Sequence, residues 1–149
     1  MAADSEVVSL LRDLLRFDTS NPPGNEKPCA EHLASLFRAA GIATEMVETA
    51  PNRSCVIARV KGTGAKPPLL LSAHLDVVPA GEPDWKHPPF AGEIHDGYVW
   101  GRGAVDMKHM AAMSAVVLLE LARRKVTLTR DVIFAGVADE EAGGRFGAG

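Results

Sequence analysis

Apolar residues recur at helical spacing near the start of the chain. Val7, Val8, Leu10, Leu11, Leu14, Leu15 and Phe17 fall on one face. Asp4 or Ser5 can cap that helix, with Glu6 in its first turn. Asn21-Pro22-Pro23-Gly24-Asn25 breaks it with strong turn chemistry. A second amphipathic helix is predicted with Ala30, Leu33, Leu36, Phe37 and Ala40 inward, and Gly41 stops it. Residues 42–48 and 55–61 then read as strands, the second carrying Val56, Ala58 and Val60 on one face. Gly62-Thr63-Gly64 turns the chain, and Pro67-Pro68 leads into the apolar run of residues 69–73, a pattern expected of a strand covered on both faces.

Residues 77–100 break the pattern, with Pro79, Gly81, Pro83, Pro88, Pro89, Gly92 and Gly97. Such a long irregular segment inside a domain is uncommon unless it serves function. A long helix rich in Ala, Met and Leu is predicted over residues 104–124, followed by a buried strand over 132–138. Helix, helix, strands, long helix, strand implies an α/β layer architecture.

Composition narrows the function classes. The chain has 149 residues, 46% hydrophobic and 23% charged, which is ordinary for one globular domain. A net charge of −3 gives no electrostatic case for binding nucleic acid or an anionic membrane. Arg123, Arg124 and Lys125 form a tight basic cluster at the predicted end of the long helix, where cations favour the dipole. Cys29 and Cys55 lack Cys-x-x-Cys spacing, so neither a thiolate zinc site nor a disulfide framework is expected, and a reducing compartment is the simpler reading. The acidic N-terminus shows no secretion signal, and the apolar runs are too short to cross a bilayer. The expected location is cytoplasmic.

The ionisable residues of interest sit where α/β folds place a site, beyond strand carboxyl ends. His74-Leu75-Asp76 ends one strand and Asp139-Glu140-Glu141 another, while Asp106 follows Gly101-Arg102-Gly103 at the expected start of the long helix. His74 and Asp76, two apart, point to the same side, so Asp76 could support a metal-bound imidazole. Alone, His-x-Asp reads better as a packed histidine and a turn residue. Adjacent Glu140 and Glu141 repel one another unless a cation is present. One could bind metal while the other acts as general base, or both could be surface acids. Asp106 could bridge two cations, or it could be a helix N-terminal acid. His87 and His95 sit in the irregular segment without support for a role, and Trp85 and Trp100 are expected to hold that segment down by packing.

In combination the segments say more. Ser72-Ala73-His74-Leu75-Asp76-Val77-Val78-Pro79 is followed by Trp85-Lys86-His87-Pro88-Pro89-Phe90, then by Gly101-Arg102-Gly103-Ala104-Val105-Asp106-Met107-Lys108, then by Asp139-Glu140-Glu141-Ala142-Gly143-Gly144. In this order and spacing they closely resemble the aminoacylase/carboxypeptidase family of dizinc metallopeptidases. The resemblance implies a three-layer catalytic domain with a mixed, largely parallel sheet flanked by helices. It implies that His74 ligates one metal, Asp106 bridges both and Glu141 ligates the other. Glu140 would be the general base and Asp76 the residue that orients His74. Two divalent ions are implied, zinc by resemblance, although the donor set also suits cobalt or manganese. The implied activity is hydrolysis of an amide or peptide bond in an N-acyl amino acid or small peptide.

The same resemblance implies that residues 1–149 are the N-terminal portion of that catalytic domain. A further acidic ligand, a distant histidine ligand and an inserted dimerisation domain would lie beyond Gly149, and the full-length form would be a homodimer. The present chain alone would then lack a complete site. The alternative is a truncated, non-catalytic product. An α/β binding module with purely structural motifs is remote.

Overall fold

The computed structural model describes residues 5–81, 84–147 and 149. Helix α1 (Glu6–Leu15) starts at Ser5, whose side chain accepts a hydrogen bond from the Val8 backbone N–H. Asp4, the alternative cap, lies outside the described residues, as do Pro83 and Ala148. Helix α2 (Lys27–Ala39) buries Cys29, Ala30, Leu33, Ala34 and Phe37. Gly41 follows it with φ at 73°, a left-handed conformation that suits glycine.

Strands β1 (Ala43–Ala50) and β2 (Arg53–Val60) form an antiparallel hairpin turned at Pro51-Asn52. Strand β3 (Leu69–His74) follows, then the short antiparallel pair β4 (Glu93–His95) and β5 (Tyr98–Trp100). Helix α3 (Lys108–Arg123) and strand β6 (Val132–Val137) complete the elements. The main sheet runs β1-β2-β6-β3. Strand β6 pairs in parallel with β3 and antiparallel with β2. The mixed sheet is as expected, but parallel pairing does not dominate among these strands. A two-residue turn forces β1 and β2 to be antiparallel, and only the β3–α3–β6 crossover delivers a parallel neighbour.

One face of the sheet carries the core. Val56 and Ala58 of β2, Val132 and Phe134 of β6 and Ala73 of β3 pack with Leu14, Leu15, Leu33, Phe37, Ala115 and Leu118 from the three helices. The Phe37 and Phe134 rings meet with centroids 5.2 Å apart. Ile57, Ile133, Ala135, Val137 and Leu70 alternate with these residues and face away from the helices. No helix among the described residues covers that second face, so the third layer of the expected sandwich is not among them. Strand β3 therefore departs from the expectation of cover on both faces. It is an edge strand, and Leu69 and Leu70 are 44% and 57% exposed.

Two further differences bear on the site. The segment 77–100, expected to be irregular, contains the β4–β5 hairpin. Asp96 and Gly97 connect its strands with φ of 53° and 81°. Positive φ at both central residues matches the turn type that Asp-Gly favours between twisted strands. The long helix begins at Lys108 and not near Ala104. Residues 102–107 are turns, Gly103 has φ of 86°, and the Lys108 N–H returns to the Gly103 carbonyl at 2.9 Å. Asp106 thus stands in the loop before α3 and is not its N-terminal acid.

Candidate metal centre

The parallel pairing of β3 with β6 sets His74 opposite Val137, so both strands end at the same edge of the sheet. Beyond that edge the chain delivers Leu75-Asp76 from one strand and Ala138 to Glu141 from the other. The loop after α1 closes over both. Asn21 N–H donates to the Val77 carbonyl at 2.8 Å, and Val77 N–H to the Thr19 carbonyl at 3.1 Å. The Thr19 hydroxyl donates to the Leu75 carbonyl at 2.7 Å.

His74 is 5% exposed. Its Nδ1 lies 2.9 Å from the Asp76 backbone carbonyl, which can only accept, so Nδ1 carries the proton. Its Nε2 faces outward, 3.0 Å from Asp106 Oδ1 and 3.8 Å from Glu140 Oε2. Ligand atoms of His74, Glu140 and Glu141 all lie within 4.8 Å of one another. The structure therefore brings Asp106, Glu140 and Glu141 together around the outward imidazole nitrogen of His74. The side chains of Asp106 and Glu140 are 74% and 54% exposed, which leaves them open to a substrate.

Asp76 sits close to its expected place with a broader set of partners. The nearest oxygen to His74 Nδ1 is its backbone carbonyl, and its carboxylate Oδ1 is at 3.5 Å. The same carboxylate accepts from the backbone N–H groups of Glu140 at 3.1 Å and Glu141 at 3.0 Å, and from Asn21 Nδ2 at 2.8 Å. It therefore locks the turn that carries the two glutamates as well as holding the imidazole. Burial acts to raise its pKa, but the bonds from His74, Asn21 and the two N–H groups outweigh this and hold it at about 2.

Burial pulls the His74 pKa down. The hydrogen bonds to Asp76 and Asp106 outweigh that and take it to about 9. Without a metal, His74 is a paired imidazolium at neutral pH. Glu141 moves the other way: burial raises its pKa, as do Asp106, Asp76 and Glu140, against the opposing pull of His74. Several carboxylates thus converge on one cationic side chain, an arrangement that a further cation relieves.

Sequence reasoning missed the layer beneath. Asn21, read only as a turn residue, donates through both amide hydrogens, to Asp76 and to Asp139 Oδ1 at 2.9 Å. Asp139 also pairs with Arg53 at 3.0 Å, and Arg53 makes a forked pair with buried Glu26 at 2.5 and 3.0 Å. Buried Lys108 donates to the carbonyls of Leu14 at 3.0 Å and Phe17 at 2.7 Å, tying the start of α3 to the end of α1. The available signal was weak: a polar residue in a turn and charges within predicted elements, with nothing to announce their burial. The tryptophans meet expectation. Trp85 donates to the Ala80 carbonyl and lies beneath the Arg102 guanidinium, and Trp100 packs against His87.

The chain is similar to several known proteins. The family model described as peptidase family M20/M25/M40 matches residues 70–149. A succinyl-diaminopimelate desuccinylase from Methylobacterium sp. (strain 4-46) is 40% identical over 140 residues, covering 90% of this chain and 34% of the relative. Aminoacylase-1 from Sus scrofa is 32% identical, covering 94% of this chain and 35% of that protein. Among solved structures, human carnosine dipeptidase 1 superposes with a TM-score of 0.77 at 20% identity, over 95% of this chain and 33% of that one. The chain thus spans about a third of the length of the curated relatives it matches. No helix among the described residues is long and apolar enough to cross a membrane.

Proposed function

The chain belongs to peptidase family M20/M25/M40, and on that premise we propose that it carries the first part of a two-metal site that hydrolyses an amide or peptide bond. The observation that carries this reading is the outward Nε2 of buried His74, fixed from behind by Asp76, with Asp106, Glu140 and Glu141 gathered around it. One imidazole and several carboxylates suit a pair of divalent ions, with zinc favoured and cobalt or manganese compatible. His74, Asp106 and Glu141 would hold the ions. When bound, the metals supply Lewis-acid polarisation and make water acidic enough to ionise near neutral pH.

The chain's own residues would do the rest. Asp76 holds His74 with Nδ1 protonated, which leaves Nε2 as the ligand atom. It also fixes the backbone of the Glu140-Glu141 turn, so the two carboxylates keep separate tasks. Glu140, more than half exposed, is free to take a proton from the attacking water and pass it to the leaving amine nitrogen. Substrates of the class suggested by the relatives, an N-acyl amino acid or a small peptide, would enter from this open side.

Residues 1–149 would be the N-terminal portion of the catalytic domain, with the remaining ligands and a dimerisation domain supplied by sequence beyond them. The length of the relatives supports this. A cytoplasmic location and a homodimeric full-length protein belong to the same reading. The test is metal content and hydrolysis of N-acyl amino acids and dipeptides, for this chain and for a version continued through the downstream reading frame. The longer version is expected to bind about two ions and turn over, and the 149-residue chain to show little activity. His74→Ala and Asp106→Asn should each lower metal content. Full metal content in both variants would refute the assignment, and robust turnover by the present chain would refute its partial character.

A further inference from the structure

The β4–β5 hairpin gathers a second set of ligand-type side chains that shares no residue with the candidate centre. Glu93 and His95 are two apart on β4 and stand on the same face, with His95 Nε2 2.7 Å from Glu93 Oε2. From the preceding segment, His87 lays its ring on that of His95, with centroids 3.5 Å apart and planes only 5° from parallel. Trp100 of β5 closes on His87 edgewise at 4.7 Å. One donor atom from each of His87, Glu93 and His95 lies within 4.8 Å of the others.

A second observation points to a ligand. His87 Nε2 is buried and has no hydrogen-bond partner among the described residues. Folded proteins rarely leave a buried polar nitrogen so, unless an ion or water serves it. The Lys86 ammonium lies over the Trp100 ring, 5.9 Å from its centroid.

We propose that His87, Glu93 and His95 bind one divalent transition-metal ion, zinc by donor preference, which clips the segment before β4 onto the hairpin. Two imidazoles and one carboxylate form a three-ligand zinc set that leaves a fourth position for water. Coordination by both imidazoles requires the parallel rings to swing out of their stack so that each aims a nitrogen lone pair at the same ion, and all three residues are half-buried rather than locked in the core. The inference does not rest on the hydrolase reading, and the site would fill whether or not the chain takes part in catalysis.

The experiment is zinc titration of the 149-residue chain in a His74→Ala/Glu141→Gln background, which disables the candidate centre. Equilibrium dialysis with metal analysis should show one zinc per chain remaining. Adding His87→Gln or His95→Gln should weaken that binding at least about tenfold, since even losing a residue that supports a ligand costs roughly that much. Both should leave the zinc-free circular dichroism spectrum unchanged. The imidazole resonances of His87 and His95, followed in the unaltered chain as zinc is added, give a second reading that does not depend on the variants folding. They should shift together with a single affinity. Retention of full zinc affinity by folded His87→Gln and His95→Gln variants would overturn the proposal. So would imidazole resonances of His87 and His95 that do not respond to zinc.

Discussion

Replacing Arg53 with Met tests the network beneath the site. The guanidinium is almost fully buried and serves two buried carboxylates, forking onto Glu26 and reaching Asp139 at 3.0 Å. Methionine keeps much of the volume and removes the charge, leaving Glu26 and Asp139 without their cation. Breaking one side of a buried ion pair costs about 3–5 kcal/mol, a large share of the roughly 5–15 kcal/mol that holds a typical domain together. The pH dependence should weaken. In the unaltered chain burial acts to raise the Asp139 pKa, but Asn21, the Phe146 N–H and Arg53 outweigh it and hold it low. Its stabilisation is therefore present above the unfolded value and lost as pH falls through the lowered one. Without Arg53 the Asp139 pKa is expected to rise toward its unfolded value, since one of the groups holding it down is gone while Asn21 and the Phe146 N–H remain. Its pH-dependent stabilisation then shrinks. Urea unfolding of both proteins from about pH 4 to 7 should show the gap widening with pH. Adding Glu26→Gln should recover about 1–3 kcal/mol, a coupling expected for residues in one network. An Arg53→Met variant that unfolds within about 1 kcal/mol of the parent at neutral pH, with the same pH profile, would refute this.

Three further outcomes follow from the same structure. In the metal-free chain His74 is raised from its ordinary 6.5 to about 9, so its stabilisation is complete below the unfolded value and disappears as pH rises through the folded one. Urea unfolding under chelation should show a loss on the order of 3 kcal/mol across that window, and His74→Asn should flatten it. Burial pushes the Cys29 thiol up to about 11 and the Cys55 thiol upward as well, so neither should react with a disulfide reagent at pH 8 until the chain unfolds; fast native-state labelling would contradict that. The uncovered sheet face around Leu70 and Ile133 should make the 149-residue chain self-associate, and Leu70→Lys should reduce this in sedimentation; an unchanged monomeric profile for the parent would count against it.

The helices and the strand order along the chain were legible because each depends on local pattern. Leu10, Leu14, Leu33 and Phe37 repeat at helical spacing and are buried, and Ser5 and Gly41 mark helix ends by their own chemistry. His74 and Glu140 were named as candidates because strand ends in α/β folds deliver side chains to one edge. What was not legible depends on neighbours distant in sequence. The apolar run of β3 reads as fully covered, but its exposure is set by a position at the sheet edge, which periodicity cannot convey. Asp106 was assigned to a helix because Ala104 and Met107 continue the helical composition, whereas Gly103 and the turns around it delay the helix to Lys108. Asn21 looks like turn chemistry and is also the donor that joins Asp76, 55 residues away, to Asp139, 118 residues away. The Asp96-Gly97 turn was the one missed element with a clear local signal.

The central claim is that Glu140 moves a proton while His74, Asp106 and Glu141 hold metal. The most direct measurement is metal content and turnover of Glu140→Gln, made in the version continued through the downstream reading frame. Metal content is expected to stay unchanged while hydrolysis falls at least about a hundredfold, the scale of lost general-base catalysis. Undiminished hydrolysis, or loss of the metal along with the activity, would contradict it.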